Sequence, residues 1–286
     1  MTDGDYMKLQ QLRRNLRKEF EDHAIESPEA DSGLLLMYAL NLTKTQLLIQ
    51  DFELSAQQYQ KVETLARRRI QGEPIQYITG FCPFMDLVFA VNPATLIPRQ
   101  DTEILVEAVS ERLGDFSEPV SLWDIGCGSG CIGISLAYAH PTLTVTELDI
   151  SEAALRTAHE TAKRYNLDNR IRFLKHDILS GMPKLPPPKV IVSNPPYIPS
   201  DDIAGLQREV REYEPLSALD GGADGLIFYR KILHDAPLQS GGLLAFEIGY
   251  DQGESVPALM KEQGYRSVTL LRDLSGNPRV VLGYHP

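Results

Sequence analysis

The chain has 286 residues, room for about two domains, and its 43 % hydrophobic and 23 % charged content is that of a globular protein whose core needs no disulfide or metal. A formal net charge of −11 argues against a surface built chiefly to hold nucleic acid, since phosphate neutralisation needs clustered Lys and Arg. No apolar run approaches the ~20 residues of a membrane span, and the start of the chain carries Asp3, Asp5, Lys8, Arg13 and Arg14 without a signal-peptide core, so a cytoplasmic protein is expected.

Residues 1–72 read as a helical bundle domain. Leu9, Leu12, Leu16 and Phe20 recur at helical spacing and form one apolar stripe. Ser27 followed by Pro28 predicts a helix start, with proline at the first helical position. The run Leu34, Leu35, Leu36, Met37 and Leu40 is wide enough to be the buried centre of the bundle. Thr43 with Gln46, and Ser55 with Gln58, have the spacing of capping boxes and open two more helices. Tyr59, Val62, Leu65, Ala66 and Ile70 give the last helix its apolar face, and Gly72 and Pro74 stop it. Residues 73–98 then read as a β-hairpin linker: Tyr77, Ile78, Phe84, Leu87, Phe89 and Val91 are strand formers, punctuated by Gly80, Pro83, Asn92 and Pro93.

From residue 99 to residue 286 strands alternate with helices, the mark of an α/β fold with a parallel sheet. The predicted strands are 120–125, 143–149, 171–175, 190–193 and 243–248; the predicted helices are 129–139, 152–165, 225–234 and 253–263. Residues 268–272 and 279–284 are joined by Ser275-Gly276-Asn277-Pro278, a turn, and close the sheet with an antiparallel hairpin. Charge is uneven along the chain: net −2 over residues 1–80 and −9 over residues 81–286.

The segment Asp124-Ile125-Gly126-Cys127-Gly128-Ser129-Gly130 follows a strand and opens a helix. Glycines there let backbone approach a ligand closely. The register is not that of a dinucleotide fingerprint, because Cys131 stands where its third glycine belongs, and no Gly-Lys-Ser/Thr follows to cradle phosphates. Asp124 ahead of the glycines suits a cationic ligand. Asp149 ends the next strand, where a carboxylate takes ribose hydroxyls in doubly wound folds; Glu147 is the weaker candidate for the same contact. Asp177 follows the third strand, where an adenine amino group can be received. Each acid alone reads as a helix cap, but acids after successive strands converge on S-adenosylmethionine, with its ribose, adenine and positively charged methionine moiety.

Ser193-Asn194-Pro195-Pro196-Tyr197 ends the fourth strand of this series. Two prolines fix φ and end strand pairing, which gives a rigid turn. The same rigidity fixes an acceptor geometry. The Asn194 side-chain oxygen can take one N–H of a planar amino group and the Pro195 carbonyl the other, while Tyr197 packs on its face. A planar nitrogen is a poor nucleophile, so the catalysis expected is positioning without a strong base.

These residues resemble an amino-group methyltransferase of the S-adenosylmethionine-dependent Rossmann-like class, and more narrowly the HemK/PrmC family. The matches include Pro74-Ile75-Gln76-Tyr77, Leu96-Ile97-Pro98-Arg99, Asp101-Thr102-Glu103, the glycine loop, Asn194 to Ile198, Glu214-Pro215, Gly221-Gly222 and Glu247-Ile248-Gly249. The resemblance implies methylation of the glutamine of the Gly-Gly-Gln motif in peptide-chain release factors, with S-adenosylmethionine as donor and S-adenosylhomocysteine as product. It implies a catalytic set of Asn194, Pro195 and Tyr197, with Pro196 beside them in substrate binding. The methyl-donor set is Asp124, Gly126, Gly128, Gly130, Asp149, Asp177 and Asn194. Release factors are then the partners, and a monomer with no metal, membrane or direct nucleic-acid contact is expected. The seven acids of residues 201–224, against Arg208 and Arg211, read as a rim for a basic protein.

Two other functions compete. An adenine N6 methyltransferase uses related chemistry, but base flipping needs a basic track for the backbone, and the acidic catalytic half speaks against it. A non-catalytic adenosine-binding scaffold leaves the Asn194–Tyr197 motif without a purpose. Metal and hydrolase chemistry find no support: Cys127 and Cys131 lack a second pair, the six histidines lack ligand spacing, and no Gly-x-Ser-x-Gly elbow is present.

Overall fold

The computed structural model describes residues 7–114, 116 and 119–286, so Asp3 and Asp5 lie outside it. The chain divides into two compact units, residues 1–80 and 81–286.

The first unit is helical: α1 (Leu9–Asp22), α2 (Pro28–Leu40), α3 (Lys44–Ile49), α4 (Ala56–Ile70) and α5 (Ile75–Thr79). The four residues of the first stripe are all buried, as are Val62, Leu65 and Ala66. Both capping boxes form: Thr43 and Ser55 each accept the N–H of the Gln three residues on, and each Gln side chain returns the bond. The α2 run is only half core, because Leu35 and Leu36 are buried while Leu34 is 39 % exposed. Tyr77 and Ile78, read as strand formers, lie instead in α5. One helical turn starts after Pro74, and Gly80 ends it in the left-handed region at φ 80°.

In the second unit, β1 (Phe81–Phe84) and β2 (Leu87–Ala90) form a separate two-stranded hairpin. Then come α6 (Asp101–Leu113), β3 (Ser121–Ile125), α7 (Cys131–Ala139), β4 (Thr144–Asp149), α8 (Glu152–Arg164), β5 (Ile171–Lys175), β6 (Val190–Ser193), α9 (Arg208–Tyr213), α10 (Ile227–Asp235), β7 (Leu243–Glu247), α11 (Ser255–Glu262), β8 (Arg266–Arg272) and β9 (Pro278–Tyr284). Seven strands make one sheet in the order β5-β4-β3-β6-β7-β9-β8. The first five are parallel, and β9 runs antiparallel to both β7 and β8. Strand order reverses between β3 and β6, so their carboxyl ends part there and leave a crevice for a ligand.

Each face of the sheet has its own core. Leu122, Val145, Val190, Val192 and Ala245 pack with residues of α6, α7 and α8. Trp123, Leu148, Ile191, Leu244 and Phe246 face the other way, onto Tyr229, Ile232, Val256 and Met260 of α10 and α11. Helices α6 and α9 are not among those expected: Gln100 makes no side-chain cap for the first, although Leu105, Val109 and Leu113 recur at helical spacing, and the second is about one and a half turns in a charged loop.

Candidate active site

A cavity of about 450 Å³ opens at the carboxyl ends of β3, β4 and β6. The glycine loop forms one wall. Gly126 and Gly128 both take positive φ, 72° and 55°, and a Cβ added at either would meet nothing within 4 Å. Backbone is therefore what a ligand meets there. The loop is strapped to the end of β4. The N–H groups of Gly126 and Cys127 donate to the Leu148 carbonyl at 2.8 and 3.0 Å, and Gly128 N–H donates to Asp149 Oδ2 at 2.9 Å. Asp149 Oδ1 accepts the Ser151 N–H at 2.7 Å. Burial nevertheless pushes the Asp149 carboxyl up. Its cavity-facing lone pairs remain for a hydroxyl donor, since each carboxylate oxygen can accept more than one bond. Asp177 lines the cavity too, and caps the short 3-10 turn after it by accepting the Leu179 N–H at 2.9 Å.

Two residues of the expected methyl-donor set, Asp124 and Gly130, stand elsewhere, and so does the weaker candidate Glu147. Asp124 is fully buried and absent from the cavity wall. Strand alternation puts it on the Leu122 face, under α7, where its Oδ2 accepts the Gly133 N–H at 2.9 Å. Glu147 is opposite Asp124 in register, equally buried, and also off the cavity. Its Oε1 would be 2.4 Å from a Cβ at position 133, so Gly133 makes its room. Gly130 caps α7 rather than lining the cavity: a Cβ there would meet Ile134 Cδ1 at 2.6 Å. Asp124 and Glu147 lie within hydrogen-bond reach of each other. As ionised acceptors they leave Asp124 Oδ1 and both Glu147 oxygens unsatisfied. Burial pushes both carboxyls up, the Asp124 charge adds to the rise of Glu147 while the hydrogen bond from Glu147 opposes that of Asp124, and a shared proton resolves the conflict.

The Asn-Pro-Pro-Tyr segment forms the opposite wall. Asn194, Pro195 and Pro196 line the cavity. Tyr197 does not; it packs against the α10–α11 core, and burial raises its hydroxyl to about 12. The segment is held by backbone. Ser193 Oγ donates to the Ile125 carbonyl at 2.6 Å, Ile198 N–H to Leu219 O and Gly221 N–H to Ile198 O. A Cβ at Gly221 would meet Pro196 O and Tyr197 Cα at 2.8 Å, so only glycine allows this approach.

Other wall residues lie outside the expected site set, although Arg99 and Thr102 belong to two of the segments that carry the resemblance. Ile150, Leu179 and Phe228 are apolar neighbours of the cavity. Thr102, from α6, also lines it; its hydroxyl donates to Glu247 Oε2 at 2.6 Å and accepts from Asn194 Nδ2 at 3.4 Å. Arg99 lines the cavity and forms an ion pair with the buried Glu214. That pair, with Glu212 on Arg208 and Asp224 on Arg230, neutralises three of the seven acids of residues 201–224. Asp201 and Asp202 stay exposed with no ion pair among the described residues.

The residues on the walls fit S-adenosylmethionine. Open glycine backbone, a partly buried carboxylate after β4, a capping acid after β5 and apolar side chains between them suit a ribose, an amino group and a flat ring. Sheet order, glycine loop and a rigid Asn-Pro-Pro-Tyr wall together define a methyltransferase of the Rossmann-like class.

The family model described as the PrmC N-terminal domain matches residues 11–80, and the methyltransferase small domain matches residues 99–206. The release factor glutamine methyltransferase of Moorella thermoacetica is 43 % identical over 97 % of this chain and 99 % of its own. That of Clostridium botulinum is 39 % identical over 90 % of this chain and 92 % of its own. The chain belongs to the family of release factor glutamine methyltransferases. In fold it also resembles the solved catalytic domain of hMettl16, crystallised in complex with a 3'UTR hairpin. That likeness has a TM-score of 0.53 at 17 % identity, over 82 % of this chain and 84 % of that one. Among the described residues no helix is long and apolar enough to cross a membrane.

Proposed function

We propose that the protein transfers a methyl group from S-adenosylmethionine to the side-chain amide nitrogen of the glutamine in the Gly-Gly-Gln motif of peptide-chain release factors, in the cytoplasm where those factors work. The observation that carries this reading is the near full-length identity to the Moorella thermoacetica protein, joined to the Asn194–Pro196 wall of the cavity. In this reading Gly126 and Gly128 offer backbone to the methyl donor, Asp149 accepts from its ribose and Asp177 from its adenine amino group. When bound, the donor supplies an electrophilic methyl carbon on a positively charged sulfur.

The chain's own residues do the rest. Asn194 Oδ1 and the Pro195 carbonyl accept the two N–H groups of the glutamine amide and fix its plane, so that the nitrogen meets the methyl carbon face on. The rigid prolines mean that little reorganisation accompanies the reaction. Neither acceptor is a base, so the proton that the amide nitrogen gives up on methylation would pass to water. Tyr197 supports the segment from the core side. Asp124, Glu147 and Gly130 act behind the wall, by packing.

The net charge of −11 favours a basic protein partner over a nucleic acid. The test is incubation with labelled methyl donor and either a release factor, the same factor with its motif glutamine replaced, or plasmid DNA. Label in the intact factor alone is expected. Label in DNA, or in the factor lacking the glutamine, overturns the reading.

A further inference from the structure

We propose that Thr102 and Glu247 are positioning residues, which hold the Asn194 amide with its oxygen turned to the cavity through a one-directional chain of hydrogen bonds. The inference rests on the functional reading above and deepens it. Three separate elements meet here. Thr102 is in the first turn of α6, Glu247 ends β7, and Asn194 follows β6. Ser193 is in register with Phe246, so Asn194 comes level with Glu247. Thr102 and Glu247 are each 2 % exposed, which keeps water from competing for their bonds.

Polarity follows from proton count. An ionised carboxylate only accepts, so the Thr102 hydroxyl spends its single proton on Glu247 Oε2, at 2.6 Å. Toward Asn194 the hydroxyl oxygen has only lone pairs left. Asn194 Nδ2, 3.4 Å away, is the group that suits them, and Glu247 is a second acceptor for the same amide. With the NH2 end committed to this side, Oδ1 faces the other way, as a substrate N–H requires. The reversed amide would set oxygen lone pairs against oxygen lone pairs in a dry site, where an unmade hydrogen bond is costly.

The chain's direction depends on the charge of Glu247. A protonated Glu247 donates to Thr102, and the hydroxyl is then free to donate to Asn194 Oδ1. Burial pushes Glu247 up to about 7, with Asp101 of α6 adding to the rise and Arg279 of β9 opposing it. Tyr197 and Cys131 are its other titratable neighbours, and both stay protonated because burial raises them as well. Tyr229 of α10 donates its hydroxyl to the Glu247 backbone carbonyl and leaves the carboxylate alone.

The experiment is single-turnover methylation of a release factor by the native chain, Thr102→Val, Thr102→Ser and Glu247→Gln between pH 6 and 8.5. Methyl-donor affinity is measured alongside by calorimetry. Thr102→Val is expected to lose about 10- to 100-fold in rate, the scale of a misplaced contact. Thr102→Ser, which keeps the hydroxyl, should stay within about threefold of native, and donor affinity should move by no more than about twofold in all three. The native rate should fall on the acid side of pH 7, and Glu247→Gln should be slow with that fall abolished. A native-like rate in Thr102→Val, or an acid limb that survives in Glu247→Gln, overturns the inference while leaving the functional reading intact. No methylation of the release factor by the native chain overturns both.

Discussion

Three carboxylates are buried on the same face of the sheet, behind the same cavity, and the two sides treat them differently. On the α7 side, Asp124 and Glu147 have one backbone N–H between them and three oxygens without partners. On the α6 side, Glu247 has the Thr102 hydroxyl and the Asn194 amide within reach and Arg279 nearby. The glycine loop in front of the first pair is held by backbone bonds to the end of β4 and needs nothing from those acids. The Asn194 side chain in front of Glu247 needs its amide oriented. A buried acid that is satisfied through side chains can transmit direction; one that is paired with another acid mainly stores a conflict that protonation relieves.

That contrast can be broken at its functional end first. Asn194→Ala removes the acceptor for the substrate amide, and turnover is expected to fall by about 100-fold or more, the scale of losing one preorganised contact. Methyl-donor affinity should be nearly unchanged, because the glycine loop and Asp149 stand on the other wall. Single-turnover rates with parallel calorimetry check both halves, and a wild-type rate would end the positioning mechanism.

The next effect belongs to the loop. Asp149→Ala removes a charged acceptor worth roughly 1.5–3 kcal/mol, so S-adenosylmethionine should bind about 10- to 150-fold more weakly. Asp177→Ala should cost less, because Asp177 is exposed and already accepts the Leu179 N–H. Equal losses at the two positions, measured by calorimetry, would assign the ribose contact elsewhere.

The buried pair offers a smaller effect on stability. Both of its carboxyls are raised above their ordinary values by burial. The folded chain therefore holds protons that the unfolded chain releases from about pH 4 upward. Stability from the pair is complete below that range and is lost as pH rises through the folded values. Glu147→Gln removes much of the conflict, and its Tm should decline less than the native Tm between pH 5 and 9. At about 2–4 °C per kcal/mol for a domain of this size, a difference of a few degrees at pH 9 is expected. Parallel curves would mean that Glu147 contributes nothing to the pH dependence.

Smallest of all is the acidic rim. With Glu212, Glu214 and Asp224 in ion pairs, Asp201 and Asp202 are exposed charges with no ion pair among the described residues. Asp201→Asn with Asp202→Asn should slow association with a release factor by only about two- to threefold at low salt and flatten its salt dependence, leaving the chemical step unchanged. Stopped-flow association at varied salt is the measurement. An unchanged salt slope would deny the rim a part in recognition.

How much of this was legible in the sequence follows from how local each signal is. Capping boxes at Thr43 and Ser55 act over three residues, and both formed. Strands β5 and β6 formed over the predicted residues: β6 is the apolar run Val190, Ile191 and Val192, and β5 keeps Arg172 and Lys175 exposed among Ile171, Phe173 and Leu174. Asp149, Asp177 and Asn194 could be placed at the cavity because each ends or follows a strand. Local preference misled where it was weak. Tyr77 and Ile78 favour strands intrinsically, yet Ile75 and Ile78 pack into the core of the helical unit, and one turn of helix delivers them there. Asp124 and Glu147 sit on central strands of a sheet packed on both faces, so no pattern in the chain tells which face looks into the cavity. Packing against α7 decided it. The Thr102–Glu247 bond joins residues 145 positions apart; its direction comes from the single Thr102 hydroxyl proton going to Glu247, and that arrangement exists only after the sheet has closed around it.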